Sequence, residues 1–127
     1  MATAVLDASA ILAVYLLEPG AEQVAAAMQT AAVCAVNIEE VLSKLADKSA
    51  SARVIGIAEA TLKGLAVAYD FDLARRAARL RPITRSLGLS LGDRACLALG
   101  ARDGLPVLTA DKAWAKLAIG VEIRVIR

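Results

Sequence analysis

The chain has 127 residues, of which 15 are lysine or arginine, 13 are aspartate or glutamate and none is histidine. The absence of histidine excludes Ser-His-Asp and Cys-His nucleophile systems, RNA cleavage by paired histidines and every histidine-ligated metal site. This length favours a single domain over residues 1–127 that is large enough to bury a core.

Short apolar runs alternate with alanine- and leucine-rich amphipathic stretches along the whole chain. The apolar runs predict strands, and the amphipathic stretches predict helices. Alternation of the two predicts an α/β fold with a mainly parallel sheet flanked by helices on both faces. The predicted strands are 2–6, 31–36, 65–69, 107–109 and 122–126, and the predicted helices are 8–17, 21–29, 37–48, 51–63, 72–80, 91–103 and 111–118.

The apolar stretches do not predict a membrane protein. The longest of them, 10–17, is far shorter than the roughly 20 residues of a membrane span. Asp7 interrupts the first apolar run too early for a signal peptide, so we expect a soluble, cytoplasmic protein. Cys34 and Cys96 lie in apolar surroundings without CxxC spacing, which predicts two buried thiols and no disulfide.

Four acidic residues follow predicted strands or lie on predicted helices near their starts. Asp7 follows the run at 4–6 and Asp111 follows the run at 107–110, so both are expected at the carboxyl ends of buried strands. In an open parallel sheet these ends share one crevice. Carboxylates gathered there repel one another unless a cation lies between them, and oxygen ligands suit Mg²⁺ or Mn²⁺. The sequence thus indicates a divalent metal site built from Asp7, Glu40, Asp93 and Asp111.

Helix capping is an alternative role for three of these acids. The side chains of Asp7 and Asp111 could each accept a backbone N–H from the first turn of the helix that follows. Ser90 and Asp93 have the spacing of a capping box. Capping alone therefore explains each of these acids when it is considered singly.

The predicted helix 37–48 contains two adjacent glutamates. Asn37, Glu40 and Lys44 share one flank of this helix, and Glu39 lies on the other. Glu40 and Lys44 also have the spacing of a helix ion pair. Periodicity alone does not decide which glutamate reaches the crevice.

Short motifs surround the four acids in a defined order: VLDASA at 5–10, VNIEEVL at 36–42, LSLGDRA at 89–95 and VLTADKAW at 107–114. In this order they resemble the motifs of PIN-domain ribonucleases, and most closely those of the VapC toxins of bacterial toxin–antitoxin pairs. The resemblance extends over essentially the whole chain. Two positions differ from the usual pattern, because Cys34 stands where the family often has serine and Glu39 where it usually has a small residue.

The resemblance implies one PIN-like domain with a sheet of five parallel strands and cleavage of RNA that depends on Mg²⁺ or Mn²⁺. It also implies a frequent homodimer and inhibition by a cognate VapB-type antitoxin. A Mg²⁺ held by one or two carboxylates keeps several waters and can activate one of them as the nucleophile. The resemblance selects Glu40 rather than Glu39 as the site glutamate. Metal-binding and catalytic roles carry over to Asp7, Glu40, Asp93 and Asp111, and supporting roles to Ser9, Asn37 and Thr109.

An RNA substrate requires positive charge near the acidic crevice. Candidate RNA contacts are Arg75, Arg76 and Arg79 on one face of a predicted helix, and Arg94 and Lys112 beside two of the site acids. A solvated helix face explains the first three equally well, because the net charge is only +2. Aromatic residues are few, so we expect contacts mainly to phosphate or to the shape of a folded RNA.

Two apolar helical stretches, 10–17 and 51–63, are candidates for a dimer surface and for a groove that takes an amphipathic antitoxin segment. Burial in the core is the alternative for both.

Two other functions are consistent with parts of the sequence. One is a catalytically silent PIN-fold module that binds RNA or protein, although such a module would not need four clustered acids. The other is phosphotransfer of the haloacid-dehalogenase or receiver type, but the first strand is followed by Asp7-Ala8-Ser9, without the second aspartate of a DxD motif.

Overall fold

The computed structural model describes residues 1–127 as an α/β fold built on one five-stranded sheet. All strand pairs are parallel, and the order across the sheet is β3-β2-β1-β4-β5. The predicted α/β fold with a mainly parallel sheet is confirmed. The strands are β1 (Ala4–Leu6), β2 (Ala31–Cys34), β3 (Ala66–Val67), β4 (Val107–Thr109) and β5 (Ile123–Val125).

Seven α-helices and two 3₁₀ helices connect the strands. None of them combines the length and the apolar character that crossing a membrane requires. The α-helices are α1 (Ala8–Tyr15), α2 (Ala21–Ala27), α3 (Ala35–Asp47), α4 (Ala52–Lys63), α5 (Phe71–Arg79), α6 (Arg81–Thr84) and α7 (Leu91–Asp103), and the 3₁₀ helices are Arg85–Leu87 and Lys112–Lys116.

The core has two parts, one on each face of the sheet. Successive strand residues point to opposite faces, so Leu6 packs into one part and its neighbour Val5 into the other. Residues of α1, α3 and α4 cover the first face, and residues of α5 and α7 together with Trp114 cover the second. Because β1, β2 and β4 are buried along their whole length, they read in the sequence as continuous apolar runs.

The structure differs from the predicted elements mainly at their ends. β2 ends at Cys34, and the next two residues open α3, although their apolar side chains extend the run that predicts a strand. Helix α6 and the 3₁₀ helix Arg85–Leu87 were not expected. Pro82 is tolerated in α6 because it lies in the first turn, where its missing N–H is not required.

Both cysteines are buried free thiols, as predicted. The apolar stretch 10–17 lies largely in the core, where Ile11 and Ala13 are fully buried, whereas in 51–63 only Ala58 and Leu62 are buried. Leu17, just beyond α1, and Ile57 of α4 remain 88% and 51% exposed. These two side chains are the part of the apolar stretches that the fold leaves available to a partner.

Candidate metal centre

Asp7 lies directly after β1, at the carboxyl end of the central strand, and its side chain is only 4% exposed. Its Oδ2 atom accepts hydrogen bonds from Ser9 Oγ at 2.6 Å and from Thr109 Oγ1 at 2.9 Å. No backbone N–H of α1 donates to this carboxylate, so the capping alternative is wrong for Asp7. Two hydroxyl groups, one of them 102 residues away in sequence, hold the carboxylate in place.

Burial raises the pKa of Asp7 from 3.8 to about 6. The two hydroxyl hydrogen bonds lower this pKa, whereas the nearby Asp93 and Glu40 carboxylates raise it further. No lysine or arginine forms an ion pair with Asp7. A cation beside this carboxylate would therefore supply the missing countercharge.

Glu40 is fixed by Asn37, which lies one helical turn earlier in α3 and is fully buried. Asn37 Nδ2 donates to Glu40 Oε1 at 2.7 Å and to the Gly92 carbonyl oxygen at 3.0 Å, so it joins α3 to the start of α7. Asn37 Oδ1 is buried without a hydrogen-bond partner. The pKa of Glu40 is raised, mainly by burial and also by the charge of Asp93.

The structure distinguishes the two adjacent glutamates of α3. Glu40 forms no ion pair with Lys44. Glu39 is exposed and makes no hydrogen bond through its side chain, whereas Glu40 is half-buried and held by Asn37. The geometry thus distinguishes the two residues, which periodicity could not do.

Gly92 is a residue of the candidate site that the sequence did not identify. A Cβ atom built there would overlap the Glu40 carboxylate, lying 2.8 Å from Oε2 and closer to Cδ and Oε1. Only glycine therefore fits against Glu40 in its present position. The motif at 89–95 contains this glycine, but its contact with α3 depends on tertiary structure.

Asp93 forms the predicted capping box at the start of α7. Its Oδ2 atom accepts from Ser90 N at 2.8 Å, and Ser90 Oγ accepts from Asp93 N at 3.2 Å. Capping does not remove Asp93 from the acidic site, because its charge raises the pKa of both Asp7 and Glu40. We call Asp7, Glu40 and Asp93 the acidic cluster.

Asp111 is not part of the acidic cluster. Its side chain is exposed, and Oδ1 accepts from Ala113 N at 2.9 Å, so it caps the 3₁₀ helix Lys112–Lys116. The capping alternative is thus correct for Asp111. Its backbone N–H donates to Thr109 Oγ1 at 3.1 Å, which connects it to Asp7 through one hydroxyl. Its role at a metal stays a prediction.

The three carboxylates of the acidic cluster do not form a closed set of direct metal ligands, because no group of three acidic or sulfur side chains is close enough to hold one ion. Mg²⁺ commonly binds proteins through one or two carboxylates and keeps several water ligands. Buried oxygen ligands with raised pKa values and no ion-paired cation fit a hydrated Mg²⁺ or Mn²⁺.

The predicted RNA contacts differ in whether an acidic side chain already pairs with them. Arg75 and Arg76 both pair with Asp72, at 2.5 and 3.0 Å, so part of their charge is neutralised. Arg79 and Lys112 are exposed and form no ion pair. Arg94 follows Asp93 in α7 and is therefore the arginine nearest in sequence to the acidic cluster.

The site thus consists of acidic side chains near the carboxyl edge of a parallel α/β sheet, in a chain without histidine. Residues 4–120 match the PIN domain family, and the chain belongs to that family. No curated protein sequence matches the chain.

Solved structures confirm the predicted PIN fold. The chain is similar to a chain of a toxin–antitoxin complex from Klebsiella pneumoniae, with 18% identity, a TM-score of 0.75 and 98% of each chain covered. It is similar to a chain of DNA-bound VapBC from Salmonella typhimurium, with 16% identity, a TM-score of 0.77 and 100% of each chain covered. For VapBC-5 of Mycobacterium tuberculosis the identity is 27% and the TM-score 0.62, covering 100% of this chain and 99% of the other.

Proposed function

We propose that this protein is a divalent-metal-dependent endoribonuclease that acts as the toxin of a VapBC-type toxin–antitoxin pair. The observation that carries the proposal is the acidic cluster at the carboxyl edge of the sheet of a PIN domain that has no histidine. The likeness to chains of VapBC complexes supports the toxin role.

Each carboxylate of the acidic cluster is held through one oxygen and has the other free of hydrogen bonds. Asp7 and Asp93 are each held at Oδ2, and Glu40 at Oε1. Supporting hydrogen bonds of this kind orient metal ligands before the metal arrives. Ser9, Thr109 and Asn37 therefore act as positioning residues.

Mg²⁺ or Mn²⁺ would be held by Asp7, Glu40 and Asp93, directly or through water, with Asp111 as a fourth candidate ligand and catalytic residue. When bound, the metal makes a coordinated water nucleophilic at neutral pH and offsets charge on the phosphodiester. Arg75, Arg76, Arg79 and Lys112 are proposed to contact RNA phosphates, and Arg94 is proposed to contact the nucleotide next to the acidic cluster.

We further propose that this chain is cytoplasmic, forms a homodimer and is bound by a VapB-type antitoxin. Exposed Leu17 and Ile57 provide apolar contact for an amphipathic segment. A basic side chain of the antitoxin could reach the acidic cluster and form charge-assisted hydrogen bonds with the free carboxylate oxygens. Such a contact would compete with the metal for the same atoms.

Purified protein and a labelled single-stranded RNA test the nuclease activity. Cleavage is expected with Mg²⁺ or Mn²⁺, and no cleavage is expected in excess chelator or with Asp7→Asn. Undiminished cleavage in chelator would overturn the metal-dependent mechanism. RNA binding without cleavage in either metal would instead support a catalytically silent module.

A further inference from the structure

A small cavity lies beside the start of α7 and against α5. Its volume is about 190 Å³, which is below the roughly 300 Å³ at which pockets for whole small molecules begin. Its walls are mainly apolar, with one aromatic and one charged side chain. The lining residues are Tyr69, Ala74, Ala77, Ala78, Leu91 and Arg94.

Arg94 is the charged residue of this cavity, and its guanidinium donates a hydrogen bond to an uncharged backbone carbonyl group. Its Nη1 atom donates to the Leu89 carbonyl oxygen at 2.9 Å, and no carboxylate pairs with it. Arg75 and Arg76 on α5, in contrast, share Asp72. The guanidinium of Arg94 therefore keeps its full charge and several unused N–H donors in a fixed plane.

Leu91 connects the cavity to the acidic cluster. It lines this cavity and also a second one of about 340 Å³, whose walls include Glu40 and Gly92. Arg94 directly follows Asp93 of the cluster. A nucleotide whose phosphate lay at the carboxylates would thus be separated only by Leu91 from the cavity that Tyr69 and Arg94 line.

We propose that this cavity binds one base of the RNA, next to the phosphate at the acidic cluster, and that it selects guanine. This inference rests on the proposed function and specifies which base of the RNA substrate the cavity recognises. Tyr69 offers an aromatic ring for stacking, which favours a purine because of its larger surface. The N–H donors of Arg94 match the O6 and N7 acceptors of guanine, whereas adenine presents a donor at the position of O6.

Binding measured without cleavage tests this proposal. Oligouridine RNAs that carry guanine, adenine, cytosine or 7-deazaguanine at one central position are titrated into Asp7→Asn protein with Mg²⁺, and fluorescence anisotropy is followed. We expect the guanine RNA to bind about 10-fold more tightly than the adenine or cytosine RNA. The 7-deaza base should lose most of this advantage, because it lacks the N7 acceptor.

Two substitutions, each made in the Asp7→Asn protein, assign the preference to the cavity. Arg94→Lys keeps the positive charge but loses the planar fork, so affinity for plain oligouridine should persist while the guanine preference disappears. Tyr69→Leu should weaken binding of the guanine RNA, and Tyr69→Phe should not. Arg53→Lys, which changes an exposed arginine of α4 outside the cavity, is the matched control and should keep the preference.

The outcomes separate this inference from the nuclease proposal. Equal binding of all four RNAs, or a guanine preference unchanged in both Arg94→Lys and Tyr69→Leu, would overturn the base-binding proposal even if the parent protein cleaves RNA. A guanine preference in a protein that cleaves no RNA would support the cavity and overturn the nuclease function. In an active enzyme, sequencing of the cleaved ends should find guanine enriched at one fixed distance from the cut.

Discussion

Gly92 lies so close to the Glu40 carboxylate that no side chain fits between them. A Cβ at Gly92 would meet the far end of a flexible side chain, so Glu40 would move while the backbone keeps its place. Gly92→Ala should therefore remain folded and lose about 100-fold in metal-dependent cleavage, because a small displacement of a catalytic group suffices for such a loss.

Gly56→Ala in α4 is the matched control for this change. A Cβ at Gly56 would have no neighbour within 4 Å. Full activity is expected, with about 0.5–1 kcal/mol more stability, since alanine is favoured over glycine inside a helix. Initial cleavage rates and thermal unfolding measure both effects. A fully active Gly92→Ala protein would show that the position of Glu40 is not required.

The buried carboxylate of Asp7 makes the stability of the metal-free protein depend on pH. Because folding raises its pKa from 3.8 to about 6, the protonated form is favoured in the folded state. This stabilisation is fully present below about pH 4 and is lost as the pH rises through 6. The free energy of unfolding should therefore fall by about 3 kcal/mol between about pH 4 and neutral pH.

Asp7→Asn should remove this dependence and be more stable than the parent at neutral pH, because its amide oxygen can still accept from Ser9 and Thr109. Urea unfolding in chelator, over a series of pH values, measures the effect. Mg²⁺ should stabilise the parent and not the variant. Identical pH dependence in the two proteins would contradict a raised Asp7 pKa.

The two adjacent glutamates should differ in function. Glu40→Gln is expected to lose metal-dependent cleavage, because it removes a charge that Asn37 holds beside Gly92. Glu39→Gln should keep most of the activity, because Glu39 is exposed and unsupported. Cleavage rates over a Mn²⁺ titration provide the comparison, and the opposite result would place the site one residue earlier in α3.

The hydroxyl of Thr109 should tune the acidity of Asp7. Thr109→Val removes a hydrogen bond that lowers the Asp7 pKa, so the rise in cleavage with pH should shift to higher pH. At neutral pH the activity should fall about 10-fold, as is usual when the partner of a metal ligand is lost. Thr109→Ser keeps the hydroxyl and should restore the parent profile. A pH profile that does not move in Thr109→Val would show that this hydroxyl does not act on Asp7.

Expression in cells tests the toxin proposal. The chain produced alone should inhibit growth, and co-expression of a small protein from the adjacent reading frame should restore it. Asp7→Asn should not inhibit growth but should still bind that partner, because most of the proposed contact is apolar. Equal toxicity of Asp7→Asn and the parent protein would separate toxicity from the acidic cluster.

The strands β1, β2 and β4 could be predicted because they are buried on both faces and therefore continuously apolar, as in the run before Asp7. The carboxyl end of β2 could not, since Ala35 and Val36 are apolar whether they lie in a helix or in a strand, and the short helix α6 was not predicted either. Periodicity placed Asn37 and Glu40 on one flank, and the structure adds their hydrogen bond. The contacts of Asp7 with Thr109 and of Glu40 with Gly92 join distant segments, so no local pattern contains them.

The central position of β1 determines when, during translation, the site can exist. Asp7 is made first, but the strand that carries Thr109 pairs with β1 only after most of the chain has been synthesised. If the protein is the ribonuclease we propose, a nascent chain still on the ribosome cannot cut the message that encodes it. Under the same proposal, prematurely terminated products without β4 would lack the complete site, and an antitoxin would have to inhibit only the full-length chain.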